Sequence, residues 1–451
     1  MSSLSHYTIK EINKKDKYVN NSNPSGMHNI PSISDVSSIV DSRILKDFKE
    51  QTFGGYKIVQ ASAALDKAIM DNKLEPAMHW ALQLFLSGLV HPLWNKLIAF
   101  ASKSINIYNV KLPEFLYNKS LQWQQITDNS KYSKDNILLL RNHPTIRLLL
   151  AELLSVLCLS KKRKINQLPK IKPNEFIIDN FKAKLEAKNN KFIDAICIDG
   201  DPSEIKIAIN ELSLHIYNSN INKALYWLSW IVEWEKINSK KYGKYECGIR
   251  TNEGVDGKYF KDVIWLIWAV ILNICKIKYS HIQPYGTGGG TGGGNGYISI
   301  AGYSLGGSDV SIQIANLYKL YINKFTPASR PKKQYYIIWA ILYITEALDY
   351  TTPLVDNPVI LFQSILSFDK SIAQLKSQEV HHLTNTHLLN VVVENNYMLP
   401  EGHVSLEANK LLQIKQKEQY AKEQLAKQKK INIDSMDKLN EIHKLDRMMY
   451  A

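Results

Sequence analysis

The chain has 451 residues, of which 45% are hydrophobic and 10% aromatic, enough to bury a core and too many for a wholly disordered protein. Fifty-six Lys and Arg against 42 Asp and Glu leave a net charge of +14, which makes acidic partners such as nucleic acid attractive. Four widely spaced cysteines, Cys158, Cys197, Cys247 and Cys275, exclude a disulfide-built scaffold or a Cys-rich zinc module and fit a reducing compartment.

Residues 1–50 are polar, rich in Asn, Ser and Lys, and interrupted by Pro24 and Pro31, so a disordered N-terminal tail is expected. No apolar leader segment opens the chain, which argues against secretion. Helix-like periodicity begins with Ile58, Ala61, Leu65 and Ile69 and defines a first helical domain over 51–160. A basic linker is expected over 161–200. Its core, 161–184, carries eight Lys/Arg and two acids, together with Pro169 and Pro173. Periodicity resumes near Ser203, giving a second helical domain over 201–400. A glycine-rich loop at 286–307, expected to be flexible, interrupts it. Residues 401–451 read as a Lys-rich helix or tail without a sustained coiled-coil seam. The longest apolar runs, 263–275 and 335–342, fall short of the roughly 20 residues a spanning helix needs, so they are expected to be buried core helices rather than membrane spans.

An internal similarity at an offset of 147 residues is the most informative pattern. Ile69 aligns with Ile216, Leu74 with Ile221, and Ala77-Met78-His79-Trp80 with Ala224-Leu225-Tyr226-Trp227. Leu65 and Leu84 meet Leu212 and Ile231 on the same helical stripe. Each copy reads as a helical hairpin with a short polar connection, 71–73 or 218–220. Trp80, Trp94, Trp227, Trp230, Trp234, Trp265, Trp268 and Trp339 lie at helical spacing among aliphatic residues and are expected in the core.

Recognised catalytic patterns are incomplete. Both Gly-Lys pairs, Gly243-Lys244 and Gly257-Lys258, are followed by Tyr rather than the Ser/Thr of a phosphate loop. His381, His382 and His387, near Glu379, lack the i, i+4 spacing of a helical zinc site. Ser304 lies in Gly302-Tyr303-Ser304-Leu305-Gly306, which matches the five-letter nucleophile elbow and keeps a serine hydrolase as a remote alternative. No cofactor or metal is expected. The candidate nucleic-acid contacts are Lys161, Lys162, Arg163, Lys164, Lys170 and Lys172, the first four also resembling a nuclear-import patch.

The stretches at 75–116 (EPAMHWALQLFLSGLVHPLWNKLIAFASKSINIYNVKLPEFL), 141–162 (RNHPTIRLLLAELLSVLCLSKK) and 222–236 (NKALYWLSWIVEWEK) resemble a protein family of large nucleocytoplasmic DNA viruses. That family includes the iridovirus immediate-early infected-cell protein. The Ala-x-x-Trp hairpin followed by FASKSI is more faintly similar to the helical collar of clamp-loader-like ATPases, without the ATPase motifs. The resemblance implies a viral protein acting in the host cytoplasm or nucleus, or in the virion, and brings no catalytic residues. The combined expectation is an all-α protein of two related helical-hairpin domains, with flexible basic arms. Its expected role is a non-enzymatic adaptor for replication, transcription or assembly partners that touches nucleic acid through its basic segments. A minor capsid protein is the alternative.

Overall fold

The computed structural model describes residues 38–279 and 297–381, whose regular elements are helices apart from one two-stranded ribbon and one isolated bridge, Gln51 to Lys57. The all-α class therefore holds with one small β addition. The first half contains α1 (Ile58–Met70), α2 (Leu74–Leu86), α3 (Val90–Ser104), α4 (Leu112–Thr127) and α5 (Pro144–Leu159). The second contains α6 (Ser203–Tyr217), α7 (Ile221–Tyr242), α8 (Val263–Tyr279), α9 (Asp309–Ile322) and α10 (Arg330–Thr345), followed by α11 (Pro358–Leu375). The ribbon, β1 (Tyr297–Ile300) and β2 (Tyr303–Gly306), precedes α9.

Local chemistry sets the helix starts. Pro144 suits the first turn of α5 because it lacks an N–H that would go unpaired there, and His143 Nδ1 accepts the Ile146 amide at 3.4 Å. Ser308 caps α9, its hydroxyl accepting the Ser311 amide at 3.2 Å.

The two hairpins share their backbone geometry. α1 ends at Met70 and α2 starts at Leu74, while α6 ends at Tyr217 and α7 starts at Ile221, so both boundaries keep the offset of 147. Asn72 and Ser219 adopt left-handed φ values of 56° and 57°. The next amide reaches back to the same carbonyl in each, Lys73 to Ala68 at 2.9 Å and Asn220 to His215 at 2.8 Å. This is the helix-ending turn that glycine usually occupies. Ser219 tolerates it at about 1 kcal/mol.

Packing within the halves also corresponds. α5 packs on α1, α2, α3 and α4, and α10 packs on α6, α7, α8 and α9. α5 is buried over most of its length and α10 over half, every residue from Ile337 to Ile344 lying in the core. The helices do not separate into two cores at the basic segment, however. α4 packs on α9 and α3 on α10 across the halves, and residues 38–380 belong to one compact unit. α11, expected in the second domain, packs on α2 and α5 of the first half.

Two further boundaries shift. The expected N-terminal tail is too long, because Ile39 and Phe48 are buried in the core; two isolated apolar side chains were too sparse to signal an ordered segment. The expected flexible loop at 286–307 is ordered at its end. Ala301 (φ 48°) and Gly302 (φ 79°) form a tight turn that pairs Ile300 with Tyr303, and Ile300 and Leu305 are buried. Residues 286–296 and the Lys-rich segment 401–451 lie outside the described residues, as do His382 and His387. Among the described residues no single helix is long and apolar enough to cross a membrane.

Candidate functional site

Residues 160–200 form an ordered strap rather than a free tether. Phe176 packs on Trp230 (5.3 Å between ring centroids) and Trp234 (5.7 Å), and Phe181 on Trp227 (5.6 Å) and Trp230 (5.0 Å). Trp230 and Trp234 stack at 5.2 Å. Trp227, Trp230 and Trp234, spaced three and four apart, lie on one face of α7 and present a ladder of rings to the strap. That spacing is visible in the sequence, and Trp227 and Trp230 are buried in the core as expected, with Trp234 packed against it.

Polar contacts fasten the strap further. The Tyr226 hydroxyl donates to Glu175 at 2.9 Å, the Ser229 hydroxyl to the Pro169 carbonyl at 2.6 Å, and Lys184 pairs with Glu175 at 2.8 Å. The Lys184 ammonium holds the Glu175 carboxyl below its usual range against a smaller effect of burial. Deeper in, Glu211 accepts the amides of Glu186 and Ala187 at 3.0 and 2.8 Å through one carboxylate oxygen, with His215 3.4 Å from the other.

The six candidate nucleic-acid contacts divide into two groups. Lys161, Lys164, Lys170 and Lys172 are exposed. Lys162 and Arg163 are turned inward. The Lys162 ammonium donates to the Leu157, Cys158 and Ser160 carbonyls at 2.8, 3.2 and 2.6 Å, closing the C-terminus of α5, and to the Asn72 side chain at 2.7 Å. Burial lowers its pKa to about 8. Arg163 forms a two-pronged pair with Glu346, both contacts 2.7 Å, which ties the strap to the residue after α10. Its amide donates to the Ser104 carbonyl at 2.8 Å, fixing the chain beside α3. These two were expected among the phosphate contacts; the carbonyls at the end of α5 and the Glu346 carboxylate occupy their donors instead. No spacing rule separates them from their neighbours. Exposed Lys182, Lys188 and Lys191 extend the lysine series along the strap.

Lys278 makes a junction related to that of Lys162. It donates to the Ser219 hydroxyl at 2.9 Å and to the Ile344 carbonyl near the end of α10 at 3.3 Å. In each half a lysine thus links the hairpin turn (Asn72 or Ser219) to the C-terminus of the fifth helix, where the helix dipole favours a cation.

The four cysteines and Ser304 are held in structural settings. Burial pushes the thiols of Cys158 and Cys247 up to about 12 and those of Cys197 and Cys275 to about 11, so they stay protonated at neutral pH. Ser304 sits in the middle of β2, exposed and paired in register with Ser299. It is not at the sharp strand-to-helix turn that a nucleophile elbow requires. Asp201 and Arg250 form a buried pair at 2.6 Å, and Arg330 bridges Glu235 and Asp262. Among the described residues no three His, Cys, Asp or Glu side chains converge in a way that would hold a metal. No protein-family model, curated protein or solved structure matches the chain.

Proposed function

We propose that this protein is a non-enzymatic helical adaptor of a large DNA virus, which binds protein partners and lays its basic strap along nucleic-acid backbone. The observation that carries the reading is the strap itself. A lysine-rich segment is fixed on an aromatic ladder, and Lys161, Lys164, Lys170 and Lys172 remain exposed to solvent. Fixing the backbone removes entropy that a free basic tail would lose on binding, and exposed ammonium groups suit sequence-independent phosphate contact. The matched hairpin turns, and fifth helices with the same neighbours in each half, support descent of the scaffold from a duplicated five-helix unit.

The test is fluorescence anisotropy of a labelled DNA duplex titrated with the full chain at several salt concentrations. Replacing Lys161, Lys164, Lys170 and Lys172 together by Ala should flatten the dependence of log K on log salt by about 0.9 for each phosphate left without its lysine, roughly 3 to 4 in all. Absence of binding at low ionic strength, or an unchanged slope in the variant, refutes the nucleic-acid half. For the adaptor half, affinity purification from infected cells should recover a stoichiometric partner that persists after nuclease treatment.

A further inference from the structure

A cleft of about 420 Å³ lies beside the segment 39–43, between that segment and the turns at 131–142. Its walls include Val40, Lys131, Tyr132, Leu138, Leu139 and Arg141. The volume is in the range of pockets that seat small ligands or single peptide side chains. Hydrogen bonds on both sides hold the 39–43 wall in place. Ile39 exchanges two bonds with the Asn142 side chain (2.9 and 2.8 Å), Val40 donates to Glu379 at 2.6 Å, and Ser42 donates to the Val380 carbonyl at 3.0 Å.

The charges of the cleft are unequally matched. Arg43 is satisfied: its guanidinium grips Asp41 (2.6 Å at the closest) and donates to the Phe53 carbonyl at 2.9 Å. Asp41 also accepts the Val380 amide at 3.1 Å. Arg141 is 4% exposed, and its Nε and Nη2 have no hydrogen-bond partner among the described residues. Ring faces lie against it, with Cζ 5.0 Å from the Phe48 centroid and 5.9 Å from that of Phe53, and the charges of Asp41 and Glu379 attract it. Arg43, Lys131 and Arg141 face two carboxylates, Asp41 and Glu379, leaving one net positive charge. Burial lowers the Arg141 pKa to about 10, so it stays charged at neutral pH. A buried guanidinium with unmatched donors is costly unless something supplies acceptors. Around it, Val40 and Leu139 are 62% and 54% exposed, an apolar rim that a ligand confined to the cleft would leave in water.

We propose that the cleft docks an acidic, apolar-flanked segment of a partner protein, its carboxylate on Arg141 and Lys131 and its neighbouring aliphatic side chains on Val40 and Leu139. This rests on the adaptor reading and gives it a partner chemistry, while its test is independent of the lysine strap. The probe is a fluorescein-labelled Leu-Glu-Glu-Leu peptide titrated with the full chain, alongside its Leu-Gln-Gln-Leu counterpart. The acidic peptide should bind at least tenfold tighter. Arg141→Met should weaken it by about 30-fold or more without lowering the melting temperature, since the variant removes a buried guanidinium with two unmatched donors. Arg141→Lys, which keeps the charge and loses the fork, should fall between the two. Equal binding of the two peptides, unchanged affinity in Arg141→Met, or a melting temperature lowered by several degrees would each overturn the proposal. So would complete displacement by free glutamate at equal carboxylate concentration, which would assign the cleft to a small carboxylate. DNA binding by the wild-type chain without binding of the acidic peptide, or peptide binding without DNA binding, shows which of the two readings has failed.

Discussion

Lys162 separates a structural role from a nucleic-acid role most sharply, and Lys162→Met is the decisive substitution. The methionine keeps the apolar stem and removes an ammonium whose three N–H groups are shared among four acceptors, three of them carbonyls around the end of α5. A charge-assisted hydrogen bond contributes about 1.5–3 kcal/mol, and a cation at a helix C-terminus adds about 0.3–1. The same burial that brings the pKa down to about 8 offsets part of this gain. The net cost of the substitution should be about 2 kcal/mol at pH 7, read as a lowered urea midpoint by tryptophan fluorescence. Lys161→Met, on an exposed neighbour, should change the midpoint by less than about 0.5 kcal/mol. The pH dependence has a definite sign. The ordinary lysine value is 10.5, so between about pH 8 and 10.5 the unfolded chain binds the proton that the folded chain has released. Stability from this site therefore rises with pH across that window, and the difference between wild type and Lys162→Met should widen. A Lys162→Met protein with an unchanged midpoint but a reduced salt slope for DNA binding would refute the structural assignment.

Two further expectations follow from the same packing. The Arg163–Glu346 pair is partly exposed yet two-pronged, so a double-mutant cycle of Arg163→Ala and Glu346→Ala should give a coupling of about 1 kcal/mol that shrinks in high salt; zero coupling in low salt would show that the strap is not fastened there. Asp201→Asn should cost about 3 kcal/mol at pH 7, because it leaves Arg250 buried beside a neutral group. Arg250 and the Ile198 and Gly248 amides hold the Asp201 carboxyl below its ordinary 3.8 although burial acts the other way, so this stability is present above about pH 4 and lost as pH falls through the lowered value. Wild type and variant should therefore converge as pH falls below the ordinary carboxylate value, and a gap that does not narrow there would contradict the assignment.

Periodicity alone determined the helical class, the start of α1 and the existence of both hairpins, because an amphipathic stripe is a local property of spacing. The 147-residue alignment located turns whose backbones coincide, since the same apolar frame and short polar connection leave few ways to close a hairpin. Charge composition pointed to the basic segment but could not sort its members. Lys161 and Lys162 are adjacent and chemically identical, and only the position of the α5 carbonyls turns one inward. Only the tertiary structure merged the halves into one core, returned α11 to the first half and ordered residues 38–50, because those contacts join segments hundreds of residues apart. The Arg141 cleft belongs to the same class. An arginine in RNHP has no distinguishing neighbour in sequence, and its setting arises where Phe48, Phe53 and the 39–43 segment meet beside it and leave its Nε and Nη2 without a hydrogen bond.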